Sequence, residues 1–227
     1  MDYLQQFVYG IYPYLAGTIF LLGSLVRFER EQYTWKSDSS QLLKRGNLRL
    51  GSILFHLGIL GLFFGHLVGL LTPVAVWDTL GVTHSFKQGF AMTMGGIFGT
   101  SCLIGLLILL HRRLTEPRIA AQTKFADKLV MFWILATLLL GLSTIPVSAG
   151  HMDGHMMVLL MTWAQHIVTF QGGAAQIIEQ APLIFKLHLF MGMSVFAIFP
   201  FTRLVHIWSG LASVTYVTRA WQLVRTR

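Results

Sequence analysis

The stretch FHLGILGLFFGHLVGLL, residues 55–71, decides the fold of this chain. It contains no charged residue, and the apolar run around it extends over roughly 50–72, about the 20 residues that a helix needs to cross a membrane. Two histidines, His56 and His66, lie within it, ten positions apart. Titratable groups are unfavourable in hydrocarbon unless they serve a purpose. The stretch therefore predicts a membrane span and raises the question of what its imidazoles bind.

Composition extends this prediction to the whole chain. Of 227 residues, 54% are hydrophobic and only 11% are charged. Apolar runs of span length recur, and each is far longer than a β-strand. We predict an all-α integral membrane bundle, a single domain over 1–227, with five transmembrane helices at about 4–26, 50–72, 88–110, 129–149 and 183–208.

Basic residues fall into clusters that predict the orientation of the spans. The connections 27–49 and 111–128 are rich in Lys and Arg, as is the tail 209–227, whereas the alternate connections hold little more than Lys87 and Lys186. Basic connections are usually cytoplasmic. The N-terminus is therefore predicted outside and the tail inside, and this clustering explains the net charge of +8 without nucleic-acid binding.

Two further segments refine the topology. The apolar segment 156–170 is too short to span, and its helical periodicity predicts a helix lying in the outer interface. A sixth span there would also move the basic C-terminus outside. The first apolar run has no basic residue before it, unlike a secretory signal peptide, so we expect an uncleaved span.

Four of the nine histidines lie well inside predicted spans, two on the second and two on the fifth. These helices run in opposite directions, so His66 should lie level with His188, and His56 level with His206. Each pair could clamp a haem from both faces, since neutral imidazole is a common axial ligand of haem iron. The remaining five are expected in loops, at helix ends or in the interfacial helix: His84, His111, His151, His155 and His166.

The heights of the two pairs agree less well. At 1.5 Å per residue, the histidines are about 15 Å apart on the second helix and about 27 Å apart on the fifth. A tilt of the fifth helix or a bend at Pro200 would absorb the difference. The single cysteine, Cys102, excludes an internal disulfide, a four-cysteine iron–sulfur site and covalent haem attachment through C-x-x-C-H.

Other interpretations of the histidines stay open at this point. They could be core residues that bond neighbouring helices, or belong to a metal or proton-coupled transporter, or be incidental to a structural anchor. Transport pathways usually include intramembrane Asp or Glu, which these spans essentially lack. The glycines Gly58, Gly61, Gly65 and Gly69 predict a helix–helix contact stripe, and Gly65, beside His66, is also expected to border the ligand pocket.

Several motifs in order resemble one family, the gamma subunit, or di-haem cytochrome b, of membrane-bound respiratory nitrate reductase. The resemblance covers nearly the whole chain. The segments that carry it are IYPYLAG (11–17), QYTWKSDSSQ (32–41), LFHLGILGLFFGHLVGLLTP (54–73), HMDG (151–154), TFQGGAAQ (169–176) and FPFTRLVHIWS (199–209).

This resemblance implies two non-covalent b haems in a bacterial cytoplasmic membrane, an outer one held by His66 and His188 and an inner one held by His56 and His206. It implies that quinol, menaquinol or ubiquinol, is oxidised near the outer haem with proton release outside. Electrons would then pass to an iron–sulfur beta subunit and a molybdenum-containing alpha subunit that reduces nitrate. Another quinone-linked complex with a di-haem b subunit is the alternative.

The resemblance also bears on residues around the haems. The family's quinol-site lysine falls on Lys87, although spacing alone favours an interfacial anchor for that residue. Lys186 stands where the family suggests arginine, and the poorly matching segment 78–86 leaves the quinone preference open. From charge and depth, Arg112 and Arg203 are candidates to pair with inner-haem propionates, with cytoplasmic anchoring as the alternative. The connection 27–49 and the tail 209–227 are expected to dock the soluble subunits.

Overall fold

The computed structural model describes residues 2–31 and 47–208. Within these ranges, five helices are long and apolar enough to cross a membrane, which confirms the predicted helical fold with five spans. We label them α1 to α5 in chain order: Tyr3–Glu31, Leu48–Leu71, His84–Thr115, Phe125–Ala149 and Leu183–Ile198. The predicted tail, 209–227, and most of the first basic connection lie outside the described residues.

The order of the helices in space differs from their order in the chain. Helix α2 packs along α3, α3 along α4, α4 along α5, and α5 along α1. Helix α2, which carries His56 and His66, and helix α5, which carries His188, are therefore not main packing partners of each other. We call the end at which α2 stops and α3 starts the outer end, because the charge pattern predicts that it faces outside.

Glycines bring α2 and α3 into the closest helix contact of the bundle. A Cβ atom built on Gly58 would lie 2.5 Å from the backbone nitrogen of Cys102, and one on Gly105 would lie 2.3 Å from that of Phe55. Only glycine permits such an approach, as in other membrane helix pairs that use small residues. This contact fixes the height of α2 relative to the rest of the bundle.

A helix at His155–Val168 occupies the segment, 156–170, for which the sequence predicts an interfacial helix. We call it the connecting helix. Its Gln165 side chain donates to the carbonyls of Leu70 and Thr72, both at 3.1 Å, and so satisfies the carbonyls at the outer end of α2. The indole of Trp163 donates to the carbonyl of Tyr9 at 3.1 Å, which ties the connecting helix to α1.

The fifth span is interrupted, whereas the sequence predicts one helix over 183–208 with at most a bend. Helix α5 stops at Ile198, and two short 3₁₀ turns, Phe199–Phe201 and Arg203–Val205, follow it. Between them Thr202 is fully extended, with φ −123° and ψ 179°. Proline at position 200 has no N–H and restricts its predecessor, which disfavours a regular helix through this point. The interruption permits a change of chain direction just before His206.

Candidate functional site

The four histidines predicted inside the spans meet as two pairs. The ring centres of His66 and His188 are 6.1 Å apart, and those of His56 and His206 are 6.4 Å apart. These are the partners that the antiparallel directions of α2 and α5 predict. The interruption at Phe199–Val205 lies between the two histidines of the fifth span, where a change of chain direction would offset their wider spacing along the chain.

Each of the four imidazoles places Nδ1 against a backbone carbonyl. The acceptors are one turn back on the same chain for three rings: Ser52 for His56 at 2.7 Å, Leu62 for His66 at 2.7 Å, and Arg203 for His206 at 2.6 Å. The fourth, His188, reaches the carbonyl of Thr137 on α4 at 3.0 Å. A carbonyl only accepts, so Nδ1 must carry the proton, and the lone pair of the neutral ring is on Nε2. This is the arrangement typical of metal-binding histidines.

The spacing of the rings fits one metal ion between each pair. With metal–nitrogen bonds of about 2 Å and ring centres about 1 Å beyond the nitrogen, two imidazoles on opposite sides of one metal have centres about 6 Å apart. Both observed separations agree with this value. The side chains of His56 and His66 are exposed at membrane depth, which is unfavourable unless a bound group covers them.

Open space adjoins the outer pair on both helices. Gly69 lies one turn after His66, and Gly192 lies one turn after His188. A Cβ atom on either glycine would meet no atom within 4 Å. Because α2 and α5 are not closely packed, the histidine pairs lie across a gap between them. The donor set, the tautomers, the ring spacing and this gap all fit a flat macrocycle at the outer pair.

Helix α4 holds His188 in place, and sequence reasoning missed this contribution. A Cβ atom on Gly141 would lie 2.7 Å from Cε1 of the His188 ring and 3.3 Å from both of its nitrogens. The ring thus packs directly on the α4 backbone, one turn from its acceptor, Thr137. The only signal in the sequence is a lone glycine in an otherwise bulky run, LATLLLGLST, which is too weak to identify the contact.

Lys87 is buried at the outer end instead of reaching water. Its side chain is 7% exposed, and its ammonium donates to the carbonyl of Gly69 at 3.0 Å and lies 2.9 Å from the sulfur of Met161. The ring of Trp77 lies 4.3 Å away, within the range of a cation–π interaction. An anchoring lysine extends its ammonium toward solvent, so this placement does not match the anchor interpretation. Its ammonium instead binds the carbonyl of Gly69, which lies one helical turn after His66 on α2.

The glycine stripe on α2 serves two different purposes. Its inner part packs against α3 as predicted, since Cβ atoms on Gly58 and Gly61 would collide with α3 around Phe98. Its outer part does not: Cβ atoms on Gly65 and Gly69 would meet nothing within 4 Å. The prediction of one continuous contact stripe was wrong for these two. The open space beside Gly65 lies next to His66, where the sequence predicts the border of a ligand pocket.

The two arginines proposed for propionates lie at the inner end. Arg112 is buried, 8% exposed, on the last turns of α3. Arg203 donates from Nε to Asp127 at 2.8 Å, and Arg113 donates to the other oxygen of the same carboxylate at 3.2 Å. Arg203 therefore takes part in a charged cluster with Asp127, which sequence reasoning did not anticipate. Its carbonyl also accepts the hydrogen bond that orients His206.

The other histidines do not extend either pair. His84 lies 3.6 Å from Asp78, and His166 bonds the carbonyl of Gly172 at 3.1 Å, both near the outer surface. Across residues 2–31 and 47–208, no three His, Cys, Asp or Glu side chains come together as a conventional metal site. A haem iron with two axial histidines needs only two protein ligands, so the absence of clusters of three such side chains among the described residues does not test for haem.

Comparison with known proteins identifies the family of the chain. The sequence model of the nitrate reductase gamma subunit family matches residues 5–227. The chain is 49% identical to the respiratory nitrate reductase 1 gamma chain of Escherichia coli (strain K12) over the full length of both. It is 34% identical to the nitrate reductase gamma chain of Bacillus subtilis (strain 168), covering 98% of each. With a family match over nearly all its residues, the chain belongs to the nitrate reductase gamma subunit family and is a multi-pass membrane subunit of a respiratory nitrate reductase.

Proposed function

We propose that this subunit is a di-haem cytochrome b that oxidises quinol at the outer side of the bacterial cytoplasmic membrane, releases the protons outside and delivers the electrons to cytoplasmic iron–sulfur and molybdenum subunits that reduce nitrate. The observation that carries the proposal is the pair of facing imidazoles at each end of the gap between α2 and α5. In both pairs Nδ1 is bonded to a carbonyl, so Nε2 would be the nitrogen that ligates the iron.

The two pairs would hold one b haem each, His66 with His188 at the outer end and His56 with His206 at the inner end. Haem with two histidine ligands has no open position for a substrate and supplies one-electron transfer. The protein's part is to fix the ring orientations, through carbonyls on α2, on α4 and in the interrupted segment of the fifth span. Because such a haem has no open position for nitrate, we assign nitrate reduction itself to another subunit.

Lys87 and the space beside Gly65 support a quinol site at the outer end. A quinol that enters this space would lie near His66, with the buried ammonium of Lys87 positioned to donate a hydrogen bond to one of its oxygens. Oxidation of quinol to quinone releases two electrons and two protons, and the oxygen that loses its proton carries negative charge on the way. A neighbouring ammonium stabilises that charge.

At the inner end, Arg112 and Arg203 would offer positive charge to haem propionates, and Asp127 would keep Arg203 in position. The connection 27–49 and the tail 209–227 would provide basic docking surfaces for the beta and alpha subunits. A di-haem subunit of a different quinone-linked complex would share this site, but the relatives that match over their full length are nitrate reductase gamma chains. A transporter is disfavoured because Asp127, the one buried acidic residue among those described, is bound by arginines.

Optical difference spectra test the proposal directly. Reduced-minus-oxidised spectra of the purified complex should show two b-type components, and the absence of a b-type band would overturn it. Replacing His66 or His188 by alanine should remove one component, and replacing His56 or His206 should remove the other. The same component lost from all four variants would contradict the pairing.

Activity measurements test the quinol site separately from the haems. Lys87→Ala should lower quinol-dependent nitrate reduction while both haems stay in place. Lys186→Ala, a second lysine at the outer end, serves as the matched control. Equal activity of the two variants would remove Lys87 from the quinol site but leave the haem proposal intact.

A further inference from the structure

The interruption of the fifth span leaves backbone carbonyls that a continuous helix would satisfy. Helix α5 stops at Ile198, and the two 3₁₀ turns and the extended Thr202 break the regular i to i+4 pattern before α-helix returns at His206. In a membrane-embedded segment an unsatisfied backbone group is strongly unfavourable. An interruption at this position therefore requires partners from outside the helix.

Arg27 on α1 is such a partner. Its Nη1 nitrogen donates to the carbonyl of Pro200 at 2.6 Å and to that of Thr202 at 2.9 Å. The same face of α1 approaches the interruption closely, because a Cβ atom on Gly23, one turn earlier, would lie 2.8 Å from Cγ of Pro200. Ser24 adds a third contact by accepting from the indole of Trp208 at 3.2 Å.

Short steps connect Arg27 with the inner histidine. Arg27 donates to the backbone carbonyl of Thr202. The side-chain hydroxyl of Thr202 in turn accepts from the N–H of Leu204 at 3.4 Å, and this hydrogen bond caps the start of the second 3₁₀ turn. That turn presents the carbonyl of Arg203, which accepts from Nδ1 of His206 at 2.6 Å. The orientation of His206 thus depends on a segment that α1 holds through a charged side chain.

We propose that Arg27 is a positioning residue for the inner haem: it stabilises the interruption of the fifth span that places His206 opposite His56. This inference rests on the haem-binding function proposed above. A basic residue at this end of α1 is expected for topology alone, but the exposed Arg30 on the same helix meets that need. Membrane topology does not explain the hydrogen bonds from Arg27 to the carbonyls of Pro200 and Thr202.

The test compares Arg27→Gln, Arg27→Lys and Arg30→Gln in the complete complex. Haem content and the midpoint potential of each haem are measured by redox titration of the optical difference spectrum. The His56→Ala and His206→Ala variants identify the inner component. We expect Arg27→Gln to weaken retention of the inner haem about tenfold or more, as for other residues that orient a metal ligand. The outer haem should be unchanged, and Arg30→Gln should match the wild type at both haems.

Arg27→Lys keeps the positive charge and a nitrogen that can donate more than one hydrogen bond, so it should retain more of the inner haem than Arg27→Gln does. If the Arg27→Gln complex fails to assemble, the Arg27→Lys complex provides the test. A change confined to the inner haem of Arg27→Lys supports the proposal, and an equal change in both haems overturns it. Wild-type content and potentials in Arg27→Gln would also overturn it. Failure of the underlying function is recognised separately, because the wild-type complex would then show no b-type band.

Discussion

The contact between Gly141 and His188 allows a prediction worked directly from distances. In Gly141→Ala the new methyl group would lie 2.7 Å from Cε1 of the ring. Carbon atoms in ordinary contact are about 3.5–4.0 Å apart, so the ring must move by about 1 Å. That movement lengthens the 3.0 Å hydrogen bond from Nδ1 to Thr137 and turns the lone pair on Nε2 away from its axis.

Forcing a methyl group into a packed interior typically destabilises it by about 1–3 kcal/mol. If that free energy destabilises the haem-bound state alone, the affinity for the outer haem falls about 5- to 140-fold, at 1.4 kcal/mol for each factor of ten. The inner pair lies on other turns of α2 and beyond α5, so its haem should remain.

The assay is the content and midpoint potential of each haem in the purified complex, from optical redox titration. Gly96→Ala on α3 is the matched control, because its Cβ would come no closer than 3.9 Å to the Ile145 side chain. Full content and an unchanged potential of the outer haem in Gly141→Ala would refute the reasoning. Equal loss of both haems would refute it as well, since the contact would then serve the bundle and not one ligand.

Three further substitutions separate the quinol space, the charged cluster and the helix contact. Gly65→Leu fills open space, so quinol-dependent turnover should fall about tenfold or more with both haems kept; wild-type turnover would contradict this. Asp127→Asn leaves Arg203 without its carboxylate and should lower the free energy of unfolding by about 3–5 kcal/mol, measured by thermal or detergent unfolding; an unchanged transition would argue against the cluster. Gly58→Leu collides with the backbone at Cys102, so both haems should be lost together; selective loss of one would be inconsistent.

Much of the fold follows from the sequence because the bilayer imposes few solutions. Backbone groups in hydrocarbon must bond within their own segment, so apolar runs of sufficient length become helices whatever their other features. The pairing of the four histidines was predictable for a related reason. Antiparallel spans fix the depth of each residue, and depth alone matches His66 with His188 and His56 with His206.

The contacts that orient these histidines were not predictable, because they depend on which helices pack together. Three rings bond a carbonyl one turn back on the same chain, but His188 uses Thr137 on α4, and no periodicity reveals that choice. Arg27 illustrates the same limit: charge counting treats every basic residue near a membrane surface alike. Only the helix order shows that α1 lies beside the interrupted span.

The distribution of the four paired histidines over the second and fifth spans has a consequence for the timing of assembly. Each pair takes one member from the second span and one from the fifth, and the fifth is the last to be synthesised. A nascent chain that has inserted four spans carries half of each site and no complete one. If the pairs hold haem as proposed, its loading would follow insertion of the fifth span, and a chain that stops before residue 183 would carry neither pair.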